Sequence, residues 1–152
     1  MNHVITCRAH WQSLSGLLGD FGLTLVPITD SEPIPGTHWG EPEAGLRGLM
    51  VYARNDTPVH SVLHEACHVI CMDSGRRAHL NTDAKGDTDE ENGVCYLSVC
   101  LSEKIPGFGR EQMFTDMDTW GYTFRLGSAK AWFEHDADDA RTWLTEAGLL
   151  SS

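Results

Sequence analysis

Residues 57–72 read TPVHSVLHEACHVICM, and this stretch decides how the chain is organised. Thr57 is a good N-cap and Pro58 suits the first helical position. Ser74 and Gly75 supply a stop signal on the far side. Between them Val59, Val62, Leu63, Cys67, Ile70 and Cys71 recur at helical spacing, which predicts a buried helix. Inside it lies His64-Glu65-Ala66-Cys67-His68, an HExxH motif. Positions four apart share one face of a helix, so His64 and His68 can hold one metal ion. Glu65, beside the first ligand, can reach water activated by that metal and act as general base. The alternative is a buried helix whose two histidines are satisfied by hydrogen bonds.

A third ligand must come from elsewhere. Downstream, residues 90–101 (EENGVCYLSVCL) predict a second helix opened by Glu90 and Glu91. Its apolar face is Val94, Leu97 and Leu101, and Glu90 lies on that face, while Glu91 aligns with Cys95 and Ser98. A ligand must point inward, so the periodicity slightly favours Glu90 over Glu91. Both also suit the first turn of a helix, where the dipole favours negative charge.

Outward from these helices the pattern is mixed. Residues 10–21 carry Trp11, Leu14, Leu17, Leu18 and Phe21 at helical spacing, and Gly22 ends the run. Residues 23–28 (LTLVPI) predict a short strand, with Pro27 marking an edge or an end. Residues 29–45 form a long loop rich in Pro, Gly and Glu, suited to shaping a substrate cleft. Residues 46–53 (LRGLMVYA) predict one strand beside the metal helix, either central or an edge open to an extended peptide. Residues 76–89 are polar and predict a loop. The last third interleaves acidic and aromatic residues and predicts two or three short helices with the aromatics in the core. Helices, a short sheet, then helices make an α+β plan: a small single-domain, zincin-like core with the sheet packed on the HExxH helix.

The chain has 152 residues, which suits a single metal-binding domain with one core. A net charge of -11 argues against nucleic acid or anionic membrane as the main partner. The acidic residues cluster at 83–91, 116–118 and 134–139, a pattern of solvated loops and helix starts. No apolar run is long enough to cross a membrane. The first residues lack the basic-then-apolar order of a signal peptide. The five cysteines (Cys7, Cys67, Cys71, Cys95 and Cys100) are odd in number, which predicts reduced thiols in the cytoplasm. No CxxC pair is present, so buried apolar roles are expected for them rather than a cysteine zinc site.

Two histidines and one carboxylate leave open positions on a metal. With zinc this is the arrangement of hydrolases acting on a protein or peptide substrate. With iron(II) it is the facial triad of oxygenases. Glu65 favours zinc and hydrolysis, because an oxygenase has no need of a general base there. His60, one turn before His64, could hydrogen-bond near the site or sit on the surface. His38, His79, His135 and Tyr122 could donate to an oxyanion, with surface positions the simpler expectation.

Two family resemblances attach to these residues. The HExxH helix, followed by Glu90-Glu91-Asn92-Gly93-Val94, resembles the small gluzincin peptidases, which implies a ligand role for Glu90. Residues 25–77 also resemble the elongation factor P hydroxylase family, metal-dependent enzymes that hydroxylate a modified lysine. The landmarks are Ser31-Glu32-Pro33-Ile34, the run from Leu49 to Ala53, the HExxH motif, and Arg76-Arg77. That family's Pro-Asp-Gly segment after the double arginine is replaced here by His79-Leu80-Asn81-Thr82, and its Lys-Pro-Gln signature is absent. The resemblance therefore implies a shared scaffold and metal site, with iron-dependent hydroxylation as the alternative activity.

Overall fold

The structure is a computed structural model that describes residues 4–37, 40, 42–72 and 88–150, with the backbone alone at 88 and 89. A 3-10 turn at Cys7–Ala9 leads into α1 (Trp11–Asp20), which buries Leu14, Leu17 and Leu18. The strand predicted from Leu23 is β1 (Thr24–Pro27), and Pro27 is its last residue. β1 is an edge of a three-stranded sheet, where a residue without an N–H is tolerated.

The single strand expected over residues 46–53 is instead a hairpin, β2 (Gly45–Arg47) and β3 (Met50–Ala53). Gly48 is the reason. It takes φ 58° at the first of two turn positions, where glycine permits the tight reversal that suits hairpins. The sheet order is β1-β3-β2, with β1 parallel and β2 antiparallel to β3. The register aligns Leu25, Val51 and Leu46 across the sheet, and all three are buried. β3 is therefore central, and residues 46–53 offer no strand-long free edge. Part of β2 is itself covered by a bridge from Thr37 to Gly45.

The HExxH stretch forms α2 (Val59–Cys71). Pro58, not Thr57, is its N-cap residue. Thr57 is diverted, because its hydroxyl accepts the backbone N–H of Arg54 at 2.9 Å. The N-terminal segment braces this end of α2. Cys7 N–H donates to Thr57 O, and Val59 N–H donates to Ile5 O. The stop signal at Ser74 and Gly75 lies outside the described residues, as does the loop expected at 76–89 up to residue 87; its last two residues, 88 and 89, are helical instead. Within α2 only His64 and Glu65 are partly exposed; the other eleven residues are buried. A helix so placed belongs to the core, and its one opening to solvent is at the motif.

The second predicted helix is α3 (Thr88–Ser102), packed against α2. Val94, Leu97 and Leu101 are buried as the periodicity requires. The opposite side is covered as well, with Val99 at 0% and Tyr96 at 9% exposure, so α3 has neighbours on both sides. Three helices complete the chain: α4 (Gly109–Trp120), α5 (Ala129–His135) and α6 (Asp138–Glu146). Gly93 lets α6 lie close to α3, since a Cβ there would stand 2.8 Å from the Trp143 ring. The aromatics of this third pack inward: Tyr96 stacks on Phe133 at 4.3 Å and Phe124 on Trp132 at 5.1 Å.

The acidic cluster at 116–118 is not wholly solvated. Asp116 is fully buried and accepts Ile5 N–H at 2.9 Å and the Gln112 amide at 2.8 Å, tying the N-terminus to α4. Asp118 accepts Ala129 N–H. These carboxylates replace missing main-chain partners, a demand that composition does not reveal. The described residues make an α+β fold of six α-helices and one small sheet. No helix among them is long and apolar enough to cross a membrane.

Candidate metal centre

His64 and His68 lie one turn apart on α2, and their Nε2 atoms are 3.2 Å from each other. Glu91, in the first turns of α3, brings Oε2 to 3.2 Å from His68 Nε2 and Oε1 to 3.8 Å from His64 Nε2. One ligand atom from each residue can be chosen so that all lie within 4.8 Å of one another. Tetrahedral zinc with nitrogen and oxygen ligands at about 2.0–2.1 Å sets those ligands about 3.3 Å apart. The three side chains thus stand at the separations that one small divalent cation requires.

The carboxylate in this group is Glu91, whereas the apolar periodicity of α3 favours Glu90. Glu90 is buried at 3% exposure, on the side of the helix shared with Gly93, which meets Trp143 and Leu144. Glu91 shares its side with Cys95, whose thiol interacts with Cys71 of α2. α3 meets both α2 and α6, and Glu91 on its more polar side is the carboxylate that reaches the histidines of α2. Periodicity measures burial and does not say which neighbour does the burying.

His64, Glu65 and Glu91 line a cleft of about 590 Å³. Ser61 of α2, Trp120 and Tyr122 at the end of α4, and Glu43 from the long loop form other parts of its wall. Burial, then the neighbouring His68 and His60, pushes the His64 imidazole down to about 3, so it is neutral and its lone pair is available near pH 7. Burial holds the Tyr122 phenol well above its usual value, with Cys95, Glu43, Glu65 and Glu91 adding to the effect. Tyr122 is therefore a lasting O–H donor in the cleft wall.

His60 is fully buried, not a surface residue. Its Nδ1 is 3.3 Å from the Tyr122 hydroxyl, and its ring lies edge-on to Trp120 and Tyr122. Burial lowers it to about 4. Its position four residues before His64 was the available signal, since that places it on the motif's face. Among the other histidines, His135 is exposed beside Glu134 and lines no part of the cleft. His38, His79 and the pair Arg76-Arg77 lie outside the described residues.

All five cysteines are free, and none belongs to the His64–His68–Glu91 group. Burial raises the Cys95 thiol to about 12 and holds the Cys67 thiol well above its usual value. Sequence reasoning missed Glu43, Ser61 and Trp120. Ser61 could have been found, because it precedes His64 by three and Glu65 by four. Nothing local in residues 29–45 distinguishes Glu43 from Glu32 or Glu41. Comparison of the chain with protein-family models, with curated proteins and with solved structures found no match.

Proposed function

We propose that the chain is a metal-dependent hydrolase of the metallopeptidase type. His64, His68 and Glu91 hold the metal, with zinc the best fit, and Glu65 is the general base. One observation carries this reading: three ligand atoms within 4.8 Å converge beside Glu65 at the single opening of an otherwise buried helix. The metal would supply Lewis-acid polarisation of a substrate carbonyl. Glu65 takes a proton from the attacking water as the carbon–oxygen bond forms. It returns that proton to the leaving nitrogen as the carbon–nitrogen bond breaks, giving a carboxylic acid and an amine, which exchange a proton to become carboxylate and ammonium. The Tyr122 O–H, in the same wall, donates to the oxygen that gains charge while its own oxygen accepts from His60 in the Nδ1–H tautomer.

The substrate class in this reading is a protein or peptide, and reduced thiols suit a cytoplasmic setting. The zincin-like and hydroxylase-like resemblances both belong to this proposal. The second reading, an iron(II)-dependent protein hydroxylase, is favoured by the same two-histidine, one-carboxylate set. It leaves Glu65 without a role.

Metal exchange separates them. Protein stripped with a chelator should lose peptide hydrolysis, and zinc should restore it without oxygen, as followed by mass spectrometry of a mixed peptide pool. Product heavier by one oxygen atom, formed only with iron(II) and oxygen, would overturn the hydrolase reading.

A further inference from the structure

Glu43 is built into the cleft from three directions. Its Oε2 accepts the Ser61 hydroxyl at 2.6 Å, and its Oε1 accepts the Trp120 indole N–H. Ser61 Oγ in turn accepts the N–H of Ala44 at 2.9 Å. Loop, α2 and the end of α4 therefore fix one carboxylate in the wall. Each of its oxygens has a second acceptor position beyond the one these bonds use. Ser61 lies one helical turn, about 5.4 Å, before His64 and Glu65 on the same face of α2.

The rest of the wall has the same preference. Glu65 and Glu91 are carboxylates, Trp120 and Tyr122 present aromatic rings, and no described lining residue is Lys or Arg. Carboxylates and ring faces both attract an ammonium group and disfavour a carboxylate. An α-ammonium nitrogen is about 2.5 Å from the carbonyl carbon of its own residue, by the standard bond lengths. Glu43 is hydrogen-bonded to Ser61, one turn before His64 and Glu65, so its carboxylate shares the cleft wall with the metal ligands and can meet a nitrogen that close to the scissile carbonyl. The ammonium of a lysine side chain is four methylenes further from its own carbonyl.

We propose that the cleft selects peptides by their amino-terminal ammonium group, with Glu43 as the anchoring carboxylate. This rests on the hydrolase reading and makes the activity that of an enzyme removing residues from a free amino terminus.

Binding can be measured without turnover in zinc-loaded Glu65→Gln protein by calorimetry. The probes are Leu-Gly-Gly amide, its Nα-acetyl form, and Nα-acetyl-Lys-Gly amide. The free-amine peptide should bind roughly tenfold or more tighter than its acetylated form, as loss of a charged hydrogen bond implies. The lysine probe should bind no better than the acetylated one. Adding Glu43→Gln should reduce the preference to about threefold or less. Adding Ser61→Ala, which keeps the charge and removes one brace, should leave a preference in place. Equal binding of acetylated peptide overturns the proposal, and so does a preference that survives Glu43→Gln. Tight binding of the lysine probe assigns the ammonium to a side chain and overturns the amino-terminal assignment. Elemental analysis of the same samples keeps the two readings apart: protein without metal sinks the hydrolase reading, while metal-loaded protein without preference sinks this inference alone.

Discussion

Glu65→Gln protein should retain its metal and fold and lose peptide hydrolysis by roughly 10²–10⁴-fold, the range that proton transfer by a positioned base supplies. Glutamine has the shape of glutamate and cannot take a proton from water. The position favours a clean result, because Glu65 is partly exposed at the cleft and its replacement opens no cavity in the core. Neither His64 nor His68 is altered, so the ligand set stays intact. The measurement is kcat at matched zinc content, with Tm recorded for both proteins. A variant that turns over at the wild-type rate with zinc bound would remove Glu65 from the chemistry.

The second large effect is expected from backbone packing alone. Gly45→Ala should destabilise the protein by about 3 kcal/mol or more, since a buried overpacking that the backbone cannot relieve is among the costliest single changes. The new Cβ would stand 1.7 Å from the Pro35 carbonyl oxygen and 2.9 Å from Thr37 N. These are main-chain atoms held by the Thr37–Gly45 bridge and by the bond from Leu46 N–H to Gly36 O. No side chain can swing aside. Gly36 faces the same approach from the loop side, at φ 73° and with Leu46 O 2.6 Å from where its Cβ would be. Because Ala44 and Glu43 precede Gly45 directly, the strain would also move the cleft wall. For a chain of this size, a Tm lower by about 6–12 °C is expected in thermal unfolding. An unchanged Tm would show that residues 35–37 and 45 do not meet as described.

The parts of the fold legible in the sequence are those where local signals and burial agree. α1 and α2 carry apolar residues at helical spacing and start or stop where turn-forming residues stand, and both occur within a residue or two of expectation. The misreadings share one cause, which is that tertiary partners outvote local pattern. Thr57 is a good cap by type, but Arg54 N–H claims its hydroxyl. Residues 46–53 read as one apolar strand, but Gly48 lets the chain reverse, and pairing with both β1 and β2 rewards the reversal.

The site divides in the same way. The approach of His64 to His68, with Glu65 between them in the chain, was legible because it depends on spacing within one helix. The third carboxylate had to come from another helix, and its choice depended on which side of α3 meets α2. Apolarity pointed to the side that carries Val94, Leu97 and Leu101, and so to Glu90. The more polar side, with Glu91 and Cys95, is the one that faces the histidines. Glu43 and Trp120 are 77 positions apart and meet only in three dimensions, so no local signal links them. His60 was an ambiguous residue whose role follows from burial against Trp120 and Tyr122.

The central claim is that His64, His68 and Glu91 form a metal site, and elemental analysis of protein purified without oxygen or added metal tests it most directly. Near one equivalent of zinc in the wild type, lost in His64→Ala, reduced in Glu91→Gln and retained in Glu90→Gln, is the predicted result. A wild-type protein without metal, or metal content unmoved by His64→Ala, would contradict it and leave the two histidines as a hydrogen-bonded pair in a buried helix.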